Sequence, residues 1–218
     1  MASEESNGNR VATWHEINPQ VPFKKIATVQ SLDGKALYVE NVRNGLPVLR
    51  FSGLNGVDGA DYYENTNFQL GNKITFFAVT SIATNATSGF RVLFLTSSGI
   101  YVGITSSQFF VNPNIAQTSY SFGSDSNLGA KKYYVLSSTI DGTNVNGYVN
   151  GGDVGTPTTL PKIPAEASST FYRIGTDPAW EWLADVGEII VFNRVLTTEE
   201  RKSVEKYLSQ KWGVALSY

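Results

Sequence analysis

Four stretches of the sequence set aromatic rings beside amides and carboxylates where the local pattern reads as a turn. They are Tyr62-Tyr63 followed by Glu64 and Asn65, Phe109-Phe110 followed by Asn112 and Asn114, Tyr120, and Asp177-Pro178-Ala179-Trp180-Glu181-Trp182. A sugar asks for this mixture: its apolar C–H face lies flat on Trp or Tyr while Asn, Asp and Gln take its hydroxyls. Trp180, Trp182, Asp177, Tyr62, Tyr63, Asn112 and Tyr120 are therefore the candidate glycan contacts. Extended backbone over Trp180-Glu181-Trp182 puts both indoles on one side. The competing reading has one or both of them packed beneath a terminal helix against Tyr207 and Trp212. Trp14-His15, in a polar amino-terminal stretch, is the candidate partner-docking pair. Tyr133-Tyr134 and Phe76-Phe77 lie inside strand-like runs and read as core or interface.

Other chemistry is poorly provided for. The chain of 218 residues has no Cys and one His, so thiolate metal sites, Cys nucleophiles and His clusters are excluded. A Ser-His-Asp triad would need His15, which stands in the polar arm. With 17 basic and 19 acidic residues, a formal charge of −2 and no basic block, neither nucleic acid nor an anionic membrane is an expected partner. The apolar runs are of strand length, too short to span a bilayer. Met1 to Arg10 is polar, so no secretion signal is expected.

The elements that must position these residues are mostly strands. Runs at Ala36–Glu40, Pro47–Ser52, Lys73–Ser81, Phe90–Thr96, Ile100–Thr105, Tyr120–Phe122, Tyr133–Ile140, Val145–Asn150, Phe171–Gly175 and Val186–Phe192 are separated by Gly, Asn, Asp and Ser. About ten strands without intervening helices predict antiparallel pairing in a sandwich. Asp141-Gly142 predicts a hairpin around 141–144, Asn146-Gly147 a bulge, and Thr156–Pro164 an exposed connection or edge. The last segment reads as a helix capped by Thr197 with Glu200 in a capping box. It should bury Val204, Tyr207, Leu208 and Trp212 and stop at Gly213. No linker divides the chain, so residues 1–30 are expected to form a polar arm and residues 31–218 one domain.

Several segments then carry a likeness. Tyr133–Gly142, Gly147-Tyr148-Val149-Asn150-Gly151, Tyr172-Arg173-Ile174-Gly175, Gly187–Arg201 and Val204–Gly213 follow one another in an order that resembles the concanavalin A-like lectin/glucanase superfamily. The closest likeness is to its laminin-G-like jelly-roll branch. Asn44–Gly53 resembles that branch's early segment. The resemblance implies an all-β, two-sheet antiparallel jelly-roll sandwich with a carboxyl-terminal α-helix. It also implies a scaffold used by lectins, adhesion modules and virion proteins, including phage components.

Glycoside hydrolases of the superfamily alternate acidic residues along one strand. Here Glu181, Asp185 and Glu188 do not reproduce the spacing, and Glu188, at the family's Glu-Ile position, reads as a structural acid. No catalytic residue is assigned. Related domains often hold calcium, for which Asp58, Asp61, Asp125, Asn127, Asp153, Asp177 and Asp185 are candidate oxygens. They lack the density of a calcium loop, so no cofactor is expected, with calcium the one alternative. Asp141 matches an Asp-Gly turn.

The expected function is non-enzymatic surface recognition or assembly, as a virion (phage) structural or decoration protein. A free carbohydrate-binding or adhesion module is the alternative, and a glycoside hydrolase the second. Partners would be capsid or other virion proteins or a cell-surface glycan, with homo-oligomers open through the sheet edges. The location would be a virion or an extracellular surface.

Overall fold

A computed structural model describes residues 7–20, 22–29, 36–51, 62–66, 70–82, 90–105, 108–112, 120–121, 128–142, 144–155, 158–159, 170–175 and 182–218. Among them the strands form two antiparallel sheets, a jelly-roll sandwich as the sequence implied. The first sheet runs β13 (Gly152–Asp153), β12 (Asn144–Val149), β11 (Tyr133–Asp141), β6 (Lys73–Ser81), β16 (Ala184–Phe192), β4 (Leu46–Phe51), β3 (Leu37–Arg43), with β14 (Thr158–Thr159) also on β12. The second runs β1 (Thr13–His15), β2 (Ile26–Val29), β5 (Tyr63–Asn65), β15 (Tyr172–Ile174), β7 (Phe90–Thr96), β8 (Tyr101–Thr105), β9 (Gln108–Asn112), β10 (Tyr120–Ser121). One helix, α1 (Thr198–Trp212), covers the outer face of the first sheet.

Aromatic doublets show how the two-residue repeat of a strand builds these layers. Tyr63, Phe76, Phe109 and Tyr134 enter the core between the sheets. Phe77 and Tyr133, one position away from two of them, face the helix, and Phe110 joins Val92 and Leu95 in a small cluster on the outer face of the second sheet. Adjacent side chains on a strand point to opposite faces, so each doublet serves two layers.

The first sheet is apolar on both faces for the same reason. Along β6, Ile74, Phe76 and Ala78 face the second sheet while Phe77 and Val79 face α1. The hairpin expected at 141–144 is present: the amide of Asn144 donates to Asp141 Oδ1 at 2.7 Å. The stretch expected as a connection or edge contributes β14 at Thr158–Thr159, an edge pairing on β12.

Helix α1 has the expected ends. Thr197 Oγ1 accepts from the Glu200 amide, the Glu200 carboxylate accepts from the Thr197 amide, and Gly213 closes the helix in the left-handed region at φ 62°. Arg194 adds a two-pronged ion pair to Glu200 at 2.8 Å. The Glu200 carboxyl is pulled down to about 2, first by the Arg194 hydrogen bonds and then by the Thr197 amide. A carboxyl lowered on folding supports the fold above its unfolded pKa and loses that support as pH falls through the folded one. The urea midpoint should therefore drop between about pH 4.5 and 2 more steeply in the wild type than in Glu200→Gln. Parallel profiles would remove the carboxylate from the helix-end account.

Four expectations need correction. The buried stripe of α1 is Arg201, Glu205, Leu208 and Trp212 rather than one containing Tyr207, which is exposed. The β11–β12 register is continuous past Asn146-Gly147, so no bulge lies there. A register shift occurs instead between Val186 and Glu188, where Gly187 is the extra residue. Phe109-Phe110 and Asn112 lie within strand β9 rather than on a rim.

Finally, the described part of residues 1–30 is built into the sandwich rather than left as an arm. Residues 8–11 hydrogen-bond along 36–38, and β1 pairs β2 at the margin of the second sheet. Val11 and Ala27 are buried, and Tyr63 ties the seam from inside: its hydroxyl donates to the Val11 carbonyl at 2.8 Å and accepts from the Ala36 amide at 3.2 Å. Short polar strands of three and four residues carry too little periodic signal to be read as strands in isolation.

Candidate functional site

With α1 over the first sheet, the outer face of the second is, among the described residues, the sheet face left for recognition. Its residues can be read directly from the register. Thr13, Thr28, Glu64, Arg173, Leu95, Tyr101 and Asn112 are successive cross-strand partners from β1 to β9 and so form one row. Ile174, next to Arg173, packs into the core, which places Arg173 on the other side. His15 and Ile26 pair one step along, both exposed. Val92, Gly103 and Phe110 form a further row, with Phe90 edge-on to Phe110 at 5.3 Å. Gly103 has to be glycine: a Cβ there would sit 2.0 Å from the Arg91 carbonyl oxygen, where β7 and β8 close on each other at a bulge.

The centre of this face is Arg173. Its guanidinium lies 4.9 Å from the Tyr62 ring centroid and 5.2 Å from that of Phe171, so two aromatic faces hold it. Its Nε donates to Glu64 Oε2 at 2.6 Å, with side-chain exposures of 26% and 13%. Among the described residues, the terminal nitrogens of Arg173 and the Oε1 of Glu64 make no hydrogen bond. Donors and an acceptor thus stand side by side, flanked by rings, on a surface that water and ligand can reach.

Measured against this arrangement, the candidate residues divide. Tyr62 is at the site, half-buried against Arg173. Tyr63 is not a ligand contact: it is wholly buried, because alternation turns it inward from Tyr62. Trp182 is likewise corrected. It is 1% exposed in the core between the sheets, away from the helix cluster that holds Trp212. Asn112 shares the row with Tyr101, but it is buried, so it frames the face rather than lining it. Trp14 is no free docking residue, since it packs edge-on to Tyr63 at 6.1 Å and against the core. His15 is exposed, its Nε2 3.0 Å from Thr13 Oγ1. Tyr120 pairs with Val111 at the far strand of the sheet. Asp177, Trp180 and Glu181 lie outside the described residues.

Sequence reasoning missed Arg173, Phe171 and Tyr101. The available signal was the strand Phe171–Gly175, whose one cation follows two aromatic residues.

The remaining acids have structural partners. Glu188 accepts from Trp212 Nε1 at 2.8 Å and Tyr207 Oη at 3.1 Å and pairs with Lys211 at 2.9 Å, as expected of a structural acid. Asp185 holds Arg50 through both oxygens, at 2.6 and 2.9 Å, and accepts from Tyr133 Oη at 2.6 Å. Burial, and then that hydrogen bond, push the Tyr133 hydroxyl well above its usual range. Asp185 is thereby spent as a calcium ligand, and among the described residues no three acidic or imidazole groups converge. Asp58, Asp61, Asp125 and Asn127 fall outside the described residues.

Similar structures share this architecture. The binding domain of botulinum neurotoxin serotype D superposes with a TM-score of 0.60 at 12% identity, over 95% of this chain and 54% of that one. Domain 4 of AbnA, an extracellular arabinanase from Geobacillus stearothermophilus solved with arabinotriose, matches at TM-score 0.51 and 12% identity, over 91% of this chain and 86% of that one. A Trypanosoma rangeli sialidase solved with the inhibitor DANA matches at TM-score 0.51 and 16% identity, over 78% of this chain and 29% of that one. The chain thus spans about half of the toxin domain and under a third of the sialidase. At these identities the likeness is one of fold. No curated protein matches in sequence. The Laminin_G_3 family profile, however, matches residues 28–200, and the chain belongs to that family of the concanavalin A-like lectin/glucanases superfamily.

Proposed function

We propose that the protein is a non-catalytic carbohydrate-recognition module working at an extracellular or virion surface, with its site on the outer face of the second sheet. The observation that supports this most directly is the Arg173–Glu64 pair, its guanidinium against the Tyr62 and Phe171 rings, which sets donors, an acceptor and aromatic side chains close together. The arabinanase domain bound to arabinotriose, and botulinum neurotoxin type C, whose cell entry depends on interaction with two ganglioside molecules, agree with such a use of the scaffold.

Screening the intact chain on a glycan array should give binding. Arg173→Met should weaken it at least about tenfold while the melting temperature moves by only a few degrees. Binding untouched by this change would dismiss the site. Turnover of a bound polysaccharide would dismiss the non-enzymatic reading.

A second reading, an assembly module such as a phage structural or decoration protein, is favoured by the segment joining β1 and β2. Ile17 is 60% exposed and Phe23 86%, beside the exposed Lys24, and large apolar side chains left exposed on one short segment suit a protein-docking surface. If this reading holds, Phe23→Ser should reduce incorporation into the assembled particle at least about tenfold with an unchanged melting temperature. Equal incorporation would set it aside.

A further inference from the structure

We infer that the site selects uncharged glycans bearing two neighbouring hydroxyls, and that Glu64 is the residue that turns acidic sugars away. This rests on the carbohydrate reading of the same face and adds the ligand's chemical class to it. Arg173 commits only Nε, to Glu64 Oε2 at 2.6 Å; that bond fixes the two side chains against each other and leaves the terminal N–H edge of one and Oε1 of the other available among the described residues.

Two adjacent hydroxyls match that edge. One oxygen accepts from an Arg173 N–H while its neighbour donates to Glu64 Oε1, and the sugar's C–H face rests on the aromatic side chains around them. The rings hold the guanidinium plane, so little side-chain freedom remains to be lost on binding.

A carboxylate or sulfate ester offers acceptors only. It can take the Arg173 N–H groups, yet it then places its charge beside Glu64 and leaves Oε1 facing another acceptor. Glu64, with 13% of its side chain exposed, is poorly screened by water, which sharpens the repulsion. The cation of Arg173 is already neutralised by its partner, and the chain as a whole carries −2 with no basic block to recruit an anion. Selection by charge in this site therefore acts against the anion.

The test compares neutral sugars with their C6-oxidised counterparts, glucose with glucuronate and galactose with galacturonate, each displayed on the same oligosaccharide, by isothermal titration of the intact chain. The wild type should bind the neutral member at least about tenfold tighter. In Glu64→Gln that preference should shrink to about threefold or less, whatever its absolute affinity. Removing one of the paired hydroxyls as a deoxy analogue should cost at least about tenfold.

Equal or tighter wild-type binding of the oxidised member, with both still dependent on Arg173, would overturn the specificity while leaving the carbohydrate site standing. An undiminished preference in Glu64→Gln would overturn the assignment to Glu64. Absence of binding to any sugar would bring down the carbohydrate reading itself. The wild-type comparison needs no variant to fold.

Discussion

Glu205→Ala should lower the unfolding free energy by about 3–5 kcal/mol, the largest loss expected from any single polar residue here. Glu205 is wholly buried under α1 and accepts from Arg201 at 2.5 Å, Ser137 Oγ at 2.6 Å and Tyr218 Oη at 3.1 Å. Arg201 is 5% exposed and lies over the Tyr148 ring at 3.5 Å. Truncating Glu205 strands that cation in an apolar seam where water cannot replace the lost oxygens.

The pair as a whole is a different matter. Two charges withdrawn from water recover little more than their desolvation cost, so Arg201→Met combined with Glu205→Leu should stay within about 1–2 kcal/mol of the wild type. Urea denaturation of the two singles and the double measures this directly. A double variant as unstable as the sum of the singles would mean that the ion pair itself, rather than the stranded charge, carries the effect.

Trp212→Ala should cost about 3–5 kcal/mol by emptying the centre of the helix–sheet cluster. The Trp212 ring lies over Gly187, where an ideal Cβ would come within 2.6 Å of it, and its Nε1 donates to Glu188. Gly187→Ala should in turn cost about 1–3 kcal/mol by overpacking. Combined, the two should cost clearly less than their sum, because alanine at 212 removes the ring that a Cβ at 187 would strike. Additive losses in thermal or urea unfolding would show that the ring and the glycine act independently.

The helix illustrates how far a sequence speaks. Thr197, Glu200 and Gly213 act on backbone groups within a few residues, and their roles were legible without any knowledge of the fold. The buried stripe was not legible. Hydrophobicity favours Tyr207 over Glu205, but Glu205 meets Ser137 on β11 and Tyr218 beyond the helix end as well as Arg201 one turn back on α1, and a buried carboxylate is stable only with such company.

At the candidate site the same limit operates through strand parity. The doublets Tyr62-Tyr63 and Phe109-Phe110 were both visible as aromatic, yet one member of each faces outward and the other inward. Only pairing with β15 and β8 settles which. Trp180-Glu181-Trp182 drew attention as a stacking platform, and its described member lies in the core. Arg173 drew none, because a single arginine in a strand means nothing until Glu64, 109 residues away in the chain, is set at 2.6 Å.

By itself, then, the sequence determined the strand-rich class, the capped terminal helix, the hairpin at 141–144 and the structural task of Glu188. All of these follow from short-range periodicity, turn chemistry or family likeness. Tertiary structure alone decided which side chains line the outer face of the second sheet, which ring of each doublet reaches it, and that an arginine and a glutamate from distant strands meet there. The reason is physical: local propensities act over a few residues, whereas a recognition surface is assembled by register between strands far apart in the chain.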